Sequence, residues 1–345
     1  MLPCGIYNET YAQELMLLRT PAHKMLMVLG VLLVLAFPLF GDEPLTNWLT
    51  MVAITIVAAL GLTVTTGYCG LPSIGHAAFI AIGAFTYANL MRQGVPWPVS
   101  ILCSGVLASA VGASFGLSSV KVKGLYLALI TLAAQFIVPW IIIEYFGGAR
   151  GVVPKAARVG DLDLGRPPNS YYLALFTLIA ITYLVFNLGR TKVGRAFKAI
   201  AHQDIAAQSM GINIDIYKVV SFAIGCFIAG IAGALWAIWM GRADIEHFTV
   251  KESIWYLAMI MLGGSGSVAG AYFGVLLILG IAEMSERLSS AVVTVVPSFQ
   301  AAMGAIPSLL MALAIIVLIL IEPRGLYHQW LVFKASYRVW PWSHW

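Results

Sequence analysis

RTKVGRAFKAIAHQDIAAQSMGINIDIYK, residues 190–218, is the longest polar, charge-bearing stretch lying between two strongly apolar ones. Arg190, Lys192, Arg195, Lys198 and Lys218 set five positive charges against Asp204 and Asp215. By the positive-inside rule such a loop lies on the cytoplasmic side of a membrane. The loop is also patterned. Val193, Phe197 and Ile200 recur at helical spacing, and Ile205, Ala206 and Met210 do so again before Gly211, a residue suited to ending a helix, with Asn213 just beyond. The spacing predicts two short helices lying across the cytoplasmic face. A solvated connector is the plainer reading, but it needs no apolar stripe. The stripe and the small pair Ala206-Ala207 suit packing against a partner protein.

The rest of the chain has the composition of a membrane protein. Hydrophobic residues make up 60% and charged residues 10%, against roughly 25% charged in an ordinary soluble domain. With a mean hydropathy of +0.89, the expected fold is all-α, integral and polytopic, in one domain. The net charge of +5 sits mostly in loops and tails, where topology and anionic lipid explain it better than nucleic acid does. Cys69, Cys103 and Cys226 fall in or beside apolar segments and Cys4 in the N-terminal tail, with no C-x-x-C spacing. Neither a disulfide nor a metal site is assigned.

Apolar runs at 25–40, 48–66, 74–91, 99–119, 125–145, 171–188, 219–240, 254–262, 268–284 and 297–321 make about ten membrane segments. The 254–262 run is too short to span without its flanks. Starting with a cytoplasmic tail over 1–24, alternation places Lys121, Lys123, the 190–218 loop, and Arg324, Lys334 and Arg338 inside. Acidic Asp42-Glu43 and the 242–252 loop fall outside. Both termini are therefore expected in the cytoplasm. The tail 322–345 mixes Trp330, Phe333, Tyr337, Trp340, Trp342 and Trp345 with Lys334 and Arg338, the composition of an interfacial anchor.

Two glycine-rich breaks interrupt the membrane region: TGYCGLPSIGHAAF, residues 66–79, and GGSGSVAGAYFG, residues 263–274. Ser73, Ala77 and Phe79 align with Ser267, Ala271 and Phe273, the trace of an internal repeat or of chance. Two accounts fit the breaks. They are tight turns with helix-packing glycines, or they are discontinuous helices that bound a solute path. On the second account Gly67, Gly70, Ser73, Gly75, His76, Phe79, Gly263, Gly264 and Ser267 line that path, with Ser73 and His76 as its polar contacts and Phe79 packed behind them.

Taken together, TGYCGLPSIGHAAFIAIGAFTYANL, VKGLYLALITLAAQ, GGARGV, VGRAFKAIAHQDIAAQSMGIN, FAIGCFIAGIAGALWA, MIMLGGSGSVAGAYFG and IEPRGLYHQW resemble the permeases of branched-chain amino acid type ABC importers. The resemblance covers residues 66–330. It implies a bacterial inner-membrane permease domain over 25–321, paired with a second and commonly different permease subunit. It also implies two ATP-binding subunits inside and a solute-binding protein outside. The 190–213 segment is similar to the coupling segment of that family, which brings Val193, Gly194, Arg195, Lys198, Asp204, Ala206, Ala207, Met210 and Gly211 to the ATPase. Relatives in the family also import urea, amides and aromatic or other organic acids, so the solute is not specified by the resemblance.

The residues agree with it. No G-x-x-x-x-G-K-[ST] run occurs, so ATP is left to another chain, and no catalytic or cofactor-binding constellation is apparent. The competing function is an ion-coupled secondary transporter. Its ionisable candidates, Glu144, Glu283 and Glu286, lie at the ends of segments, and His76 is the one titratable group within a break.

Overall fold

In the computed structural model of the chain, residues 42–122, 124–147, 151–159, 162–295 and 325–339 are described, together with isolated positions in 25–38 and 309–320. Eight of the ten expected segments fall on these stretches. The first and last, like the N-terminal tail and Trp340, Trp342 and Trp345, lie outside them.

The described elements in order are α1 (Glu43–Leu62), a π-helical continuation (Thr63–Tyr68), α2 (His76–Gln93), α3 (Trp97–Lys121), α4 (Leu125–Tyr145) and a small antiparallel hairpin, β1 (Arg158–Val159) and β2 (Leu162–Asp163). Then come α5 (Asn169–Leu188), α6 (Lys192–His202), α7 (Asp204–Ser209), α8 (Ile214–Met240), a 3-10 turn (Ile245–His247), α9 (Val250–Gly263), α10 (Val268–Val295) and α11 (Leu326–Val339). Among the described residues, six helices are long and apolar enough to cross a bilayer: 43–68, α3, α4, α5, α8 and α10. The two remaining expected segments are α2 and α9, each abutting one of the glycine-rich breaks.

The helices associate without a hydrophobic drive between them, since lipid tails are as apolar as leucine, so close backbone approach must supply the packing energy. α8 is the hub, packed most extensively on α3, α2 and α1. Its Gly225, Gly230 and Gly233 make this approach possible. A Cβ on Gly225 would lie 2.8 Å from Gly61 O, one on Gly230 would lie 2.6 Å from Ser104 O, and one on Gly233 would collide with Ile80 O. α9 and α10 pair in the same manner through Gly263 against Gly270 and Gly274 against Met259.

Several threonines inside the bundle are satisfied locally. Thr50, Thr55 and Thr63 each donate to the carbonyl four residues earlier in α1 at 2.8 Å, which lets a hydroxyl sit in an apolar span without a stranded donor. At the end remote from α6 and α7, a paired bridge between Val152 and Ala243 ties the 151–168 connection to the residues that follow α8.

Candidate functional site

The first break leaves α1 at Tyr68 and runs without helix from Cys69 to Gly75. It does not turn back at the membrane surface. His76 Nε2 lies 2.9 Å from Ala58 O, and because a carbonyl only accepts, the ring donates from Nε2. Ala58 is about 15 Å of helix back from Tyr68, so α2 begins deep within the bundle. A helix start at that depth exposes amides that water cannot reach. Here neighbouring helices satisfy them: Ile74 N donates to Thr131 Oγ1 at 3.0 Å, Ala77 N to Ser253 Oγ at 2.9 Å, and Ala78 N to Gln135 Oε1 at 2.8 Å.

Ser253 Oγ in turn donates to Gln135 Oε1 at 2.9 Å, and Gln135 Nε2 donates to Phe248 O at 2.6 Å. Each member of this buried group has its partners, the condition under which a polar cluster stiffens a core. Ser73, also buried, is the exception, since its Oγ has no hydrogen-bond partner among the described residues. Phe79 points away from the break and packs edge-on against Phe115 of α3, ring centres 5.9 Å apart. His76 stands edge-on to Tyr256 of α9 at 5.7 Å.

The two breaks meet. A Cβ on Gly67 would lie 2.6 Å from Gly266 N, and Gly266 itself holds φ +85°, a conformation open to glycine. Gly264 is pressed by Gly325 at the start of α11. Gly263 is the last residue of α9, and Ser267 Oγ accepts from Gly270 N at 2.9 Å, capping α10.

The same end of the bundle carries α6 and α7. Thr191 caps α6 by accepting from Gly194 N. Phe197 and Ile200 bury the inner face, while Arg195 and Lys198 stay exposed and Val193 is half-buried. Gly194 is buried where a Cβ would strike Leu188 O. On α7 the faces divide: Ala207 is buried within the chain, whereas Ile205, Ala206, Met210 and Gly211 are exposed. Asp204 is held by Lys218, whose Nζ donates to Asp204 Oδ2 at 3.0 Å with only 3% of the lysine side chain exposed. Lys218 thus belongs to α8 and to the packing of α7, although its charge was counted with the loop.

The first break rests directly on α6. Lys198 Nζ sits 5.3 Å from the centre of the Tyr68 ring, and a Cβ on Gly70 would lie 3.1 Å from Ala201. Between them and α10 opens a cavity of about 520 Å³, bordered by Tyr68, Arg190, Lys198, Ser267, Tyr272 and Tyr327. Tyr272 in its lining is held by a hydrogen bond of 2.6 Å between the Thr182 and Tyr272 hydroxyls. The contact between break and α6 went unread in the sequence, where the two stretches lie more than a hundred residues apart.

The sequence profile described as "Branched-chain amino acid transport system / permease component" matches residues 45–321. The chain belongs to that family. Its relatives include the high-affinity branched-chain amino acid transport system permease protein LivM of Escherichia coli K12, 30% identical over 77% of this chain and 69% of that protein. LivH from the same organism is 27% identical over 73% of this chain and 87% of its own length. The ribose import permease protein RbsC of Escherichia coli K12 is 22% identical over 78% and 88%. With six apolar helices among the described residues long enough to cross a bilayer, the chain is a multi-pass inner-membrane permease of the ABC importer class.

Proposed function

We propose that this chain forms one half of the membrane pore of an ATP-driven importer for branched-chain or closely related aliphatic amino acids. A second, different permease subunit supplies the other half. Two ATPase subunits dock on α6 and α7 from the cytoplasm, and an external binding protein delivers the solute, so both termini of this chain lie in the cytoplasm. ATP chemistry resides on those other subunits.

The observation that carries the reading is the seat of the first break on α6. A docking element that touches Tyr68 and Gly70 can move the Gly67–Gly266 contact, where the backbones of the two breaks approach each other. ATP-driven motion at α6 and α7 would then open and close the inner end of the path. The exposed Ile205, Ala206 and Met210 are the side chains offered to the ATPase, and Ala207 sets their height by packing inward. Arg195 and Lys198 add charge at the same face.

The solute is argued from kinship to two branched-chain amino acid permeases at higher identity than to the ribose permease. The test is uptake of radiolabelled leucine by vesicles holding the full complex with its binding protein. Uptake should require ATP on the side of α6 and α7 and survive proton and sodium ionophores. Uptake that persists without ATP and collapses with an ionophore would instead establish an ion-coupled carrier.

A further inference from the structure

A second cavity, of about 240 Å³, opens at the end of the bundle opposite α6 and α7. It is smaller than the roughly 300–1,000 Å³ of pockets for drug-sized molecules, and its wall has an unusual make-up. Trp236 of α8 and Trp255 and Tyr256 of α9 face it, together with the carboxylates Glu246 and Glu252 and the ring of His247. We propose that this cavity is a passing site for a zwitterionic α-amino acid, with Glu252 as counter-charge to the ammonium group and Trp236 and Trp255 as its aromatic walls. The proposal rests on the importer reading and adds to it a site within this chain.

Three observations support it. First, a carboxylate beside indole faces is the arrangement that binds an organic ammonium, since the ring quadrupole and the anion attract the same charge. Second, Trp236, one of the walls, carries an unused donor: its Nε1–H is buried with no acceptor among the described residues, and a small turn of the indole would offer it to a carboxylate. Third, Glu252 is half-buried and takes part in no ion pair among the described residues. Burial pushes its carboxyl above the ordinary value, with Lys251 and His247 pulling it back, so an entering cation would supply the missing compensation.

The cavity also leads somewhere. Tyr256, which lines it together with Thr55, stands against His76, while Phe248 in the same wall accepts from Gln135. A solute released from this site therefore meets the buried start of α2, and beyond it the first break.

The test places a single cysteine in the wall, Met51→Cys, in a complex whose native cysteines are replaced, and measures its rate of reaction with two thiol reagents. One is ethylammonium methanethiosulfonate and the other the ethylsulfonate analogue. The cationic reagent should react about tenfold faster than the anionic one, the lower end of what a charge-lined cleft achieves. Leucine and leucinamide at millimolar concentration should slow the reaction, and 4-methylpentanoate, which lacks the ammonium, should not. Glu252→Gln should abolish the protection and weaken the charge preference to what Glu246 alone supplies, and Glu252→Asp should restore both. A reaction indifferent to reagent charge and to leucine, in a complex that still takes up leucine with ATP, overturns this site and leaves the importer reading standing. Absence of ATP-dependent leucine uptake, with the preference for cations and leucinamide protection intact, overturns the importer reading instead.

Discussion

Replacing Asp204 with Asn removes the carboxylate that holds Lys218, and should detach α7 from the bundle. At 3.0 Å the attraction between the two charges is about 5 kcal/mol at an effective dielectric of about 20. Part of that offsets the desolvation of the pair, and Asp204 keeps 20% of its side chain in solvent. Leaving one buried partner alone nonetheless costs about 3–5 kcal/mol, and the low end suits a pair whose carboxylate is partly exposed. About 3 kcal/mol is roughly a hundredfold in an equilibrium constant. The amides of Ala207, Met210 and Ile212, bonded within α7 and its cap, should therefore exchange with deuterium up to a hundredfold faster in Asp204→Asn, and ATP hydrolysis should proceed with less uptake per ATP. Adding Lys218→Met removes the stranded charge and should recover most of the protection, since an apolar replacement of a buried pair is often neutral. Unchanged exchange in Asp204→Asn, or a double variant as open as the single, would refute the reasoning.

Other outcomes follow from the same geometry. Ile205→Glu and Met210→Glu alter side chains 72% and 83% exposed, so melting should shift by less than about 0.5 kcal/mol while co-purification with the ATPase is lost; Ala207→Leu should lower the melting temperature instead. Gln135→Leu strands Phe248 O and takes the acceptor from Ser253 Oγ, while Ala78 N keeps its 3.2 Å bond to Gly75 O; it should destabilise the protein by about 2–6 kcal/mol, at about 1–3 kcal/mol for each of the two stranded groups, measured by thermal unfolding in detergent. Gly67→Ala places a methyl 2.6 Å from Gly266 N; overpacking of about 1–3 kcal/mol should reduce uptake while ATPase binding in a pull-down stays intact.

The sequence shows the membrane class, the paired short helices α6 and α7 and the breaks because each rests on local pattern. Helical spacing places α6 and α7 close to their observed bounds, and glycine clusters mark the ends of α1 and α9. What local pattern cannot carry is facing. Ala206 and Ala207 are identical in chemistry, and only the packing of α7 on its own chain turns one outward and the other in. Lys218 reads as a loop charge because its partner Asp204 lies fourteen residues away, a separation that only the turn between α7 and α8 brings together. Gln135 is legible as a polar residue in an apolar run, but its role in capping α2 depends on three helices converging.

The most direct test of the account is the accessibility of Ser73 and Ser267. Cysteines at these positions, in a background without Cys4, Cys69, Cys103 and Cys226, place one probe in each of the two breaks that meet at Gly67 and Gly266. Small water-soluble thiol reagents should modify them at rates that change when ATP is supplied to the assembled complex, with Ser73→Cys, buried in this structure, reacting only when the contact opens. Rates identical with and without ATP at both positions would contradict the account and leave the breaks as packing features of the bundle.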